Sequence, residues 1–384
     1  MPSHWDAIVI GAGGFGSSCL YHLAKSGARV LGLDRFLPGH DRGSSHGETR
    51  IIRQAYFEHS DYVPLLRRSY ELWRELESES GRSLMTICGL MQAGPIEGEV
   101  VPGVRRAADL YGIPIESYSA AEAVRRFPGF GFRADGMTTD LDVVLEPGAG
   151  YLSVEDCVRT HVEQACRYGA QLSIGPRVIG WESNGGTVTV TTESGTHTAA
   201  ALIVTPGAWA PSLLGKVPGW PTIEVRRKVV LWSPVRSAAY SANGGGVMFL
   251  FELPSGVFYG FPSLDDGTLK VGEHSRGELV GDPLQVDRSL RADDVDAVAS
   301  FLRVHLPDVE TTPQRHSVCM YSMTPDGHFV VDRHPEFSNV FFGAGFSGHG
   351  FKFTSAIGES LAQWAATGST TAAIEFLGLK RFAK

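Results

Sequence analysis

The sequence predicts an α/β fold, in which a doubly wound nucleotide-binding domain is interrupted by a second, α+β domain carrying a mixed sheet. Three observations predict it. Residues 7–10 form an apolar run that leads into Gly11-Ala12-Gly13-Gly14-Phe15-Gly16, a helix-like stretch, and a second apolar run ending at Asp34. Later segments return to strand and helix patterns of the same kind, separated by two stretches that mix prolines, glycines and β-formers. At 384 residues the chain is also too long for one ordinary core.

The opening unit has a specific physical reading. In a strand–turn–helix, Gly11 permits the tight turn, Gly13 lets the backbone approach a pyrophosphate, and Gly16 lets helix and strand pack closely. The helix, over residues 17–25 and stopped by Gly27, turns its N-terminus toward the anion. Asp34, at the end of the second strand, is placed to accept hydrogen bonds from ribose hydroxyls. The pattern specifies a dinucleotide without separating FAD from NAD.

Residues 61–80 carry Tyr62, Leu65, Leu66, Tyr70, Trp73 and Leu76 at helical spacing. Ser153 with Asp156 is a capping pair for a helix through Tyr168, ended by Gly169 and followed by a strand over 172–174. Two hairpin strands follow at 188–192 and 196–200, then an apolar strand at 201–205 that stops at Pro206-Gly207 and so puts Gly207 beside a cofactor. The runs 229–233 and 257–262 are strands of the second domain, and the chain returns to the first at 339–345 and a helix over 352–366. The division expected is residues 1–88, 145–221 and 320–384 for the nucleotide domain, with 89–144 and 222–319 for the substrate domain. There is no internal repeat and no low-complexity linker.

Composition narrows the function classes. A hydrophobic fraction of 43% with 20% charged residues is that of a soluble globular protein. Lysine and arginine number 34 against 42 acids, a net charge of −8, so neither nucleic acid nor an anionic membrane is expected as partner. No apolar run is long enough to span a bilayer, and the N-terminus lacks a signal-like core. Five scattered cysteines, Cys19, Cys88, Cys157, Cys166 and Cys319, show no metal-ligand spacing; a reducing, cytoplasmic location and no metal site are expected.

Further segments carry a resemblance. They are Ser45-His46-Gly47-Glu48-Thr49-Arg50-Ile51-Ile52-Arg53, Glu146-Pro147-Gly148-Ala149-Gly150, Tyr259-Gly260-Phe261-Pro262, Leu269-Lys270-Val271-Gly272-Glu273-His274, Cys319-Met320-Tyr321, and the run from Gly345 through Gly348-His349-Gly350 to Lys352-Phe353. In content and order, over nearly the whole chain, they resemble the monomeric sarcosine oxidase and N-methyltryptophan oxidase family of flavoproteins. The resemblance implies a Rossmann-like FAD-binding domain, a mixed-sheet substrate domain, and FAD attached through its 8α-methyl group to Cys319.

It also implies roles. Arg53 and Lys352 are similar to the pair that binds the substrate carboxylate, Arg50 and Lys270 to the pair on the other flavin face, where the lysine serves oxygen activation. A fixed cation there stabilises the anion that forms when O2 takes up an electron. His274, Tyr259 and Tyr321 complete the substrate shell; His46, Thr49, Met320, Gly348 and His349 flank the flavin, with a following helix N-terminus stabilising charge on the reduced ring. The reaction implied is oxidation of a secondary amino acid such as sarcosine to an imine, which hydrolyses, while O2 becomes hydrogen peroxide. Partners are then a small amino acid and O2, and the expected state is a monomer.

Three alternatives stay open. A related flavoprotein dehydrogenase would pass electrons to a carrier, which Lys270 argues against and peroxide yield tests. An NAD-dependent dehydrogenase shares the fingerprint but leaves Cys319 unexplained; a non-catalytic flavin-binding protein leaves the site residues unexplained. Substrate side-chain choice falls to Leu250 and its neighbours in 248–252, and to the loop 54–60, whose bulkier residues depart from the glycine-containing form usual in the sarcosine enzymes.

Overall fold

The computed structural model describes residues 4–133, 140–265 and 267–383; the parts of the expected domain spans at 1–3, 134–139, 266 and 384 lie outside these. The apolar opening becomes the strand His4–Ile10, which pairs in parallel with Val30–Asp34 on one side and Gly195–Val204 on the other. These belong to an eight-stranded sheet that also holds Gln171–Ile174, Val178–Ser183, Val188–Thr192, Val330–Arg333 and Val340–Ala344. The helices Gly14–Lys25, Tyr62–Ser80 and Thr354–Thr367 pack with this sheet into one core, since their apolar stripes have no other surface to bury against.

A second eight-stranded sheet runs in the order Arg315–Met323, Glu224–Pro234, Thr268–Glu273, Gly256–Gly260, Met248–Leu253, Leu90–Gly94, Asp142–Glu146, Glu116–Tyr118. Its pairs are antiparallel except Met248–Leu253 against Leu90–Gly94, so it is a mixed sheet. One face packs Phe249, Phe251, Phe258, Leu269 and Val271 against the helix Ala292–His305. Side chains alternate along a strand and cross-strand partners share a face. The register Lys228–Cys319, Arg226–Tyr321, Val230–Gly272, Gly272–Tyr259 and Tyr259–Leu250 therefore sets all these residues, with Lys270, on the opposite face. A small third sheet, Thr49–Ile52, Gly150–Ser153 and Met85–Ile87, delivers Arg50.

Several local expectations change. The strands expected at 196–200 and 201–205 are one strand, Gly195–Val204, because nothing breaks the chain between them: its first half pairs with Val188–Thr192, its second with Val340–Ala344. The region 89–144, in which only a mixture of prolines, glycines and β-formers was noted, holds two helices, Val100–Tyr111 and Ala120–Arg126. Pro102 misleads there, since in a first turn its missing N–H is no loss. Ser153 precedes its helix without a side-chain cap bond. The strand Arg315–Met323 runs unbroken across the expected boundary at 319/320, because its ladder with Glu224–Pro234 continues to Met323.

Gly16 shows how tight the opening unit is: a Cβ there would lie 1.7 Å from the Gly11 carbonyl oxygen and 2.6 Å from the Thr205 hydroxyl. Backbone cannot yield as a flexible side chain does. Replacing Gly16 by Ala should destabilise the protein by about 3 kcal/mol, read by thermal unfolding.

Candidate active site

A cavity of about 1130 Å³ runs from the glycine loop to the polar face of the second sheet. At one end lie Gly11, Gly13, Asp34 and Gly207. Asp34 accepts from the Ala12 N–H at 2.7 Å and the Phe36 N–H at 2.9 Å, so it braces the loop while bordering the cavity. Gly16 lies beneath the loop and does not line it, as its packing role requires. The helix after the Gly-rich turn starts later than expected: a 3₁₀ turn, Phe351–Phe353, comes first, and the methyl of Thr354 lies 2.8 Å from where a Cβ on Gly14 would be.

The other end of the cavity is lined by Arg50, Arg53, Lys352, His274, Tyr259 and Tyr321, with Met320, Gly348 and His349. Gly348 adopts φ +81°, and a Cβ on it would be 2.3 Å from the Tyr321 ring, so the turn needs glycine twice over. His349 Nδ1 meets the Tyr56 hydroxyl at 2.5 Å and its Nε2 meets the Gly327 carbonyl at 3.0 Å. A carbonyl only accepts, so Nε2 carries the proton and Nδ1 accepts from Tyr56. Burial pushes His349 down to about 4, which keeps this ring neutral at pH 7. His274 Nδ1 lies 3.3 Å from the Tyr321 hydroxyl; burial, then the charge of Lys228, pushes His274 down to about 3.

Arg53 is 3% exposed, and its Nη2 donates to both carboxylate oxygens of Glu58, at 2.7 and 2.6 Å, while Nη1 donates to the Ala55 carbonyl at 3.1 Å. Its guanidinium lies 4.1 Å and 4.4 Å from the Tyr56 and Phe57 ring centroids. Burial raises the Glu58 carboxyl, but Arg53 overrides it and holds the group down at about 2. Lys352 Nζ donates to the His349 carbonyl at 2.7 Å; burial, then Arg53, lowers its ammonium to about 7.

Behind this wall Cys319 is 4% exposed, with Sγ 3.6 Å from Arg50 Nη2 and 3.6 Å from the Ser44 carbonyl. Arg50 Nη1 and Lys270 Nζ both donate to the Thr49 carbonyl, at 2.9 and 2.8 Å, and Lys270 also reaches the Thr49 hydroxyl at 3.1 Å and the Gly47 carbonyl. Lys270 does not line the large cavity. It borders a second one of about 600 Å³ with Glu48 and Trp232, and burial, then Arg50, holds it well below the usual lysine range.

The arrangement fits a dinucleotide carrying a ring system at its far end. His46 is 3% exposed, shares Nδ1 with the Ser317 hydroxyl at 3.3 Å, and leaves Nε2 buried without a protein partner. The glycines that line the cavity, Gly11, Gly13, Gly207 and Gly348, let backbone approach a bound cofactor closely. Among the described residues, no group of three or more His, Cys, Asp or Glu is placed to hold a metal ion, and no helix is long and apolar enough to cross a membrane.

Three residues were assigned no role from the sequence. Glu58 sits in the noted loop, five residues from Arg53, a spacing without a sequence signal. Glu146, 1% exposed, accepts from the Gln54 and Ala55 N–H groups at 2.7 and 3.1 Å and fixes that loop. Lys228, 5% exposed, stands opposite Cys319, and burial lowers its ammonium to about 8 against the pull of Glu273.

Comparison with known proteins is consistent over the whole chain. The family model described as FAD dependent oxidoreductase matches residues 6–364. A monomeric sarcosine oxidase of Streptomyces avermitilis is 40% identical over 388 residues, covering 100% of this chain and 99% of its own. One from a Bacillus species is 38% identical over 384 residues (99% and 98%), and an N-methyl-L-tryptophan oxidase of Yersinia pestis is 36% identical over 380 residues (98% and 99%). The fold is shared with an amino acid oxidase of nikkomycin biosynthesis, NikD, at TM-score 0.84 and 24% identity over 98% of this chain and 97% of that one. It is shared also with a glycine oxidase of Geobacillus kaustophilus, at TM-score 0.81 and 21% identity over 99% of each.

The Arg53–Glu58 pair gives a direct test. Removing one partner of a buried pair strands the other charge. Glu58→Ala should lower stability by about 2 kcal/mol, less than full burial would give because Glu58 keeps 18% of its side chain exposed; the midpoint of urea unfolding reads it.

Proposed function

Since the chain belongs to the FAD dependent oxidoreductase family and is a flavin-dependent amine oxidoreductase, we propose that it oxidises a secondary amino acid, N-methylated or cyclic and of the sarcosine type, with O2 as electron acceptor. The observation that carries the substrate class is the pairing of two buried cations, Arg53 and Lys352, with His274, Tyr259 and Tyr321 at the far end of the nucleotide cavity. In this reading the first sheet and its helices hold FAD and the second sheet holds the substrate, in a monomer of the cytoplasm.

The chain's own groups divide the work. Arg53 and Lys352 bind the carboxylate; an arginine fork matches two oxygens and a lysine adds a point charge. The fork is already engaged by Glu58, so an incoming carboxylate competes with that side chain. Neutral His274, with Tyr321 and Tyr259, bounds the amine, which enters as the free base because an imidazole and two phenols kept neutral by burial offer an ammonium no negative partner. Bound FAD would supply the two-electron redox chemistry that couples oxidation of the C–H bond beside nitrogen to reduction of O2 to hydrogen peroxide. The imine leaves for water and hydrolyses. Lys270 and Arg50, meeting at the Thr49 carbonyl, supply positive charge where oxygen becomes negative. Cys319 is the point of covalent attachment: its buried sulfur lies 3.6 Å from Arg50 Nη2, on the sheet face that also carries Tyr321 and Tyr259.

The deciding experiment is anaerobic addition of sarcosine, N-methyl-tryptophan or a cyclic secondary amino acid to oxidised holoenzyme. Bleaching of the flavin absorbance is expected with at least one; no bleaching with any rejects the reading. Flavin should stay with the precipitated polypeptide in acid, and Cys319→Ala should release it.

Two further outcomes follow from the charges. Lys352 is protonated below about pH 7 and loses its proton above it, so inhibition by acetate should weaken as pH rises through 7, approaching tenfold per unit. Lys352→Met should flatten that dependence. Lys270→Met should slow reoxidation of the reduced enzyme by O2 at least a hundredfold while leaving the anaerobic reduction rate within about fivefold.

A further inference from the structure

The buried lysine opposite Cys319 has no part in the reaction described above. Lys228 leaves the middle of Glu224–Pro234, and its Nζ donates to the His274 carbonyl at 2.7 Å and to the Arg276 carbonyl. Glu273 Oε2 lies 3.7 Å away, and the Tyr321 ring centroid 5.1 Å. Glu273 in turn accepts from the Ser275 N–H at 2.8 Å and the Arg276 N–H at 2.9 Å, so it closes the turn that Lys228 pins from below. Gly277 shuts over the lysine stem: a Cβ there would be 3.1 Å from Lys228 Cδ, in a backbone at φ +146°. The turn starts at His274, whose N–H continues the ladder to the Val257 carbonyl and whose ring meets the Tyr321 hydroxyl in the cavity wall.

We propose that Lys228 is a positioning residue, whose ammonium ties the 274–276 turn to the neighbouring strand and thereby holds the His274 ring on Tyr321 in the substrate-binding wall. Two carbonyls and a carboxylate converge on one side chain, and only an ammonium, with three donors and a charge, satisfies all three. A neutral residue leaves buried acceptors unmade, and the turn opens to find water. The inference rests on the amine-oxidising reading for its kinetic arm and is independent of it for its structural arm.

The test is a double-mutant cycle on holoenzyme, with Lys228→Met, His274→Ala and both together. Anaerobic flavin bleaching by a secondary amino acid that the wild type oxidises gives a dissociation constant and a limiting rate. Lys228→Met should raise the dissociation constant about tenfold, and the double variant should bind no worse than His274→Ala alone, within twofold. Multiplied losses in the double variant, or wild-type binding in Lys228→Met, overturn the proposal. If Lys228→Met fails to hold flavin, Lys228→Gln, which keeps a donor, replaces it in the same cycle. A crystal structure of the lysine variant adds a readout free of turnover. Loss of the His274–Tyr321 contact is expected, and retention of that contact with the 274–276 turn in place overturns the idea. Should the wild type oxidise no secondary amine, the function proposed above fails, and this structural arm still decides the role of Lys228.

Discussion

The ladder between Glu224–Pro234 and Arg315–Met323 is the constraint on which the site depends. It aligns Lys228 with Cys319 and Arg226 with Tyr321, and through Thr268–Glu273 it brings Gly272, Lys270 and Tyr259 onto the same face. A slip of one residue in any strand would exchange its faces. Cys319 and Tyr321 would then point at the helix Ala292–His305, while the residues now buried there would enter the cavity. The register is thus held by the apolar face: burial of the aromatic cluster Phe249, Phe251, Phe258 and Phe301 fixes where the polar face puts its chemistry.

That polar face and the segments packed beside it concentrate positive charge within a protein of net charge −8. Arg53, Lys352, Lys270 and Lys228 are all at least nine-tenths buried, and each is tied down by carbonyls or a carboxylate. Burial acts on the two residue types differently. The three lysines lose proton affinity, whereas Arg53, though opposed by burial, is held charged by Glu58. An anionic substrate therefore meets one permanent cation and one whose charge depends on pH. Overall charge says nothing about this; the local set decides it.

What could be read beforehand follows the range of the interactions. The glycine loop, its helix and Asp34 are contiguous, and their roles depend on steric rules that act within a few residues. The helix Val100–Tyr111 was hidden because Pro102 and Gly103 mark irregular structure in most contexts, and only the first-turn position and packing on Phe57 make them harmless. The roles of Glu58, Glu146 and Lys228 were hidden for a different reason: each matters through a partner that the fold brings close, and neither the loop that holds Glu58 nor the motif that holds Glu146 points to that partner. The placement of Lys270 on a separate cavity from Arg53 and Lys352 was equally invisible in its flanking residues.

By itself, then, the sequence determined the fold class, a dinucleotide loop and the family to which the motifs belong, since periodicity, glycine positions and ordered motifs are local properties of a chain. Tertiary structure alone decided which charges meet. The Arg53 fork closes on Glu58, Arg50 and Lys270 share the Thr49 carbonyl, and Lys228 reaches the turn that carries His274. The reason is physical: electrostatic partners act at about 3 Å and in a low dielectric, and both conditions exist only after separate segments have buried one another.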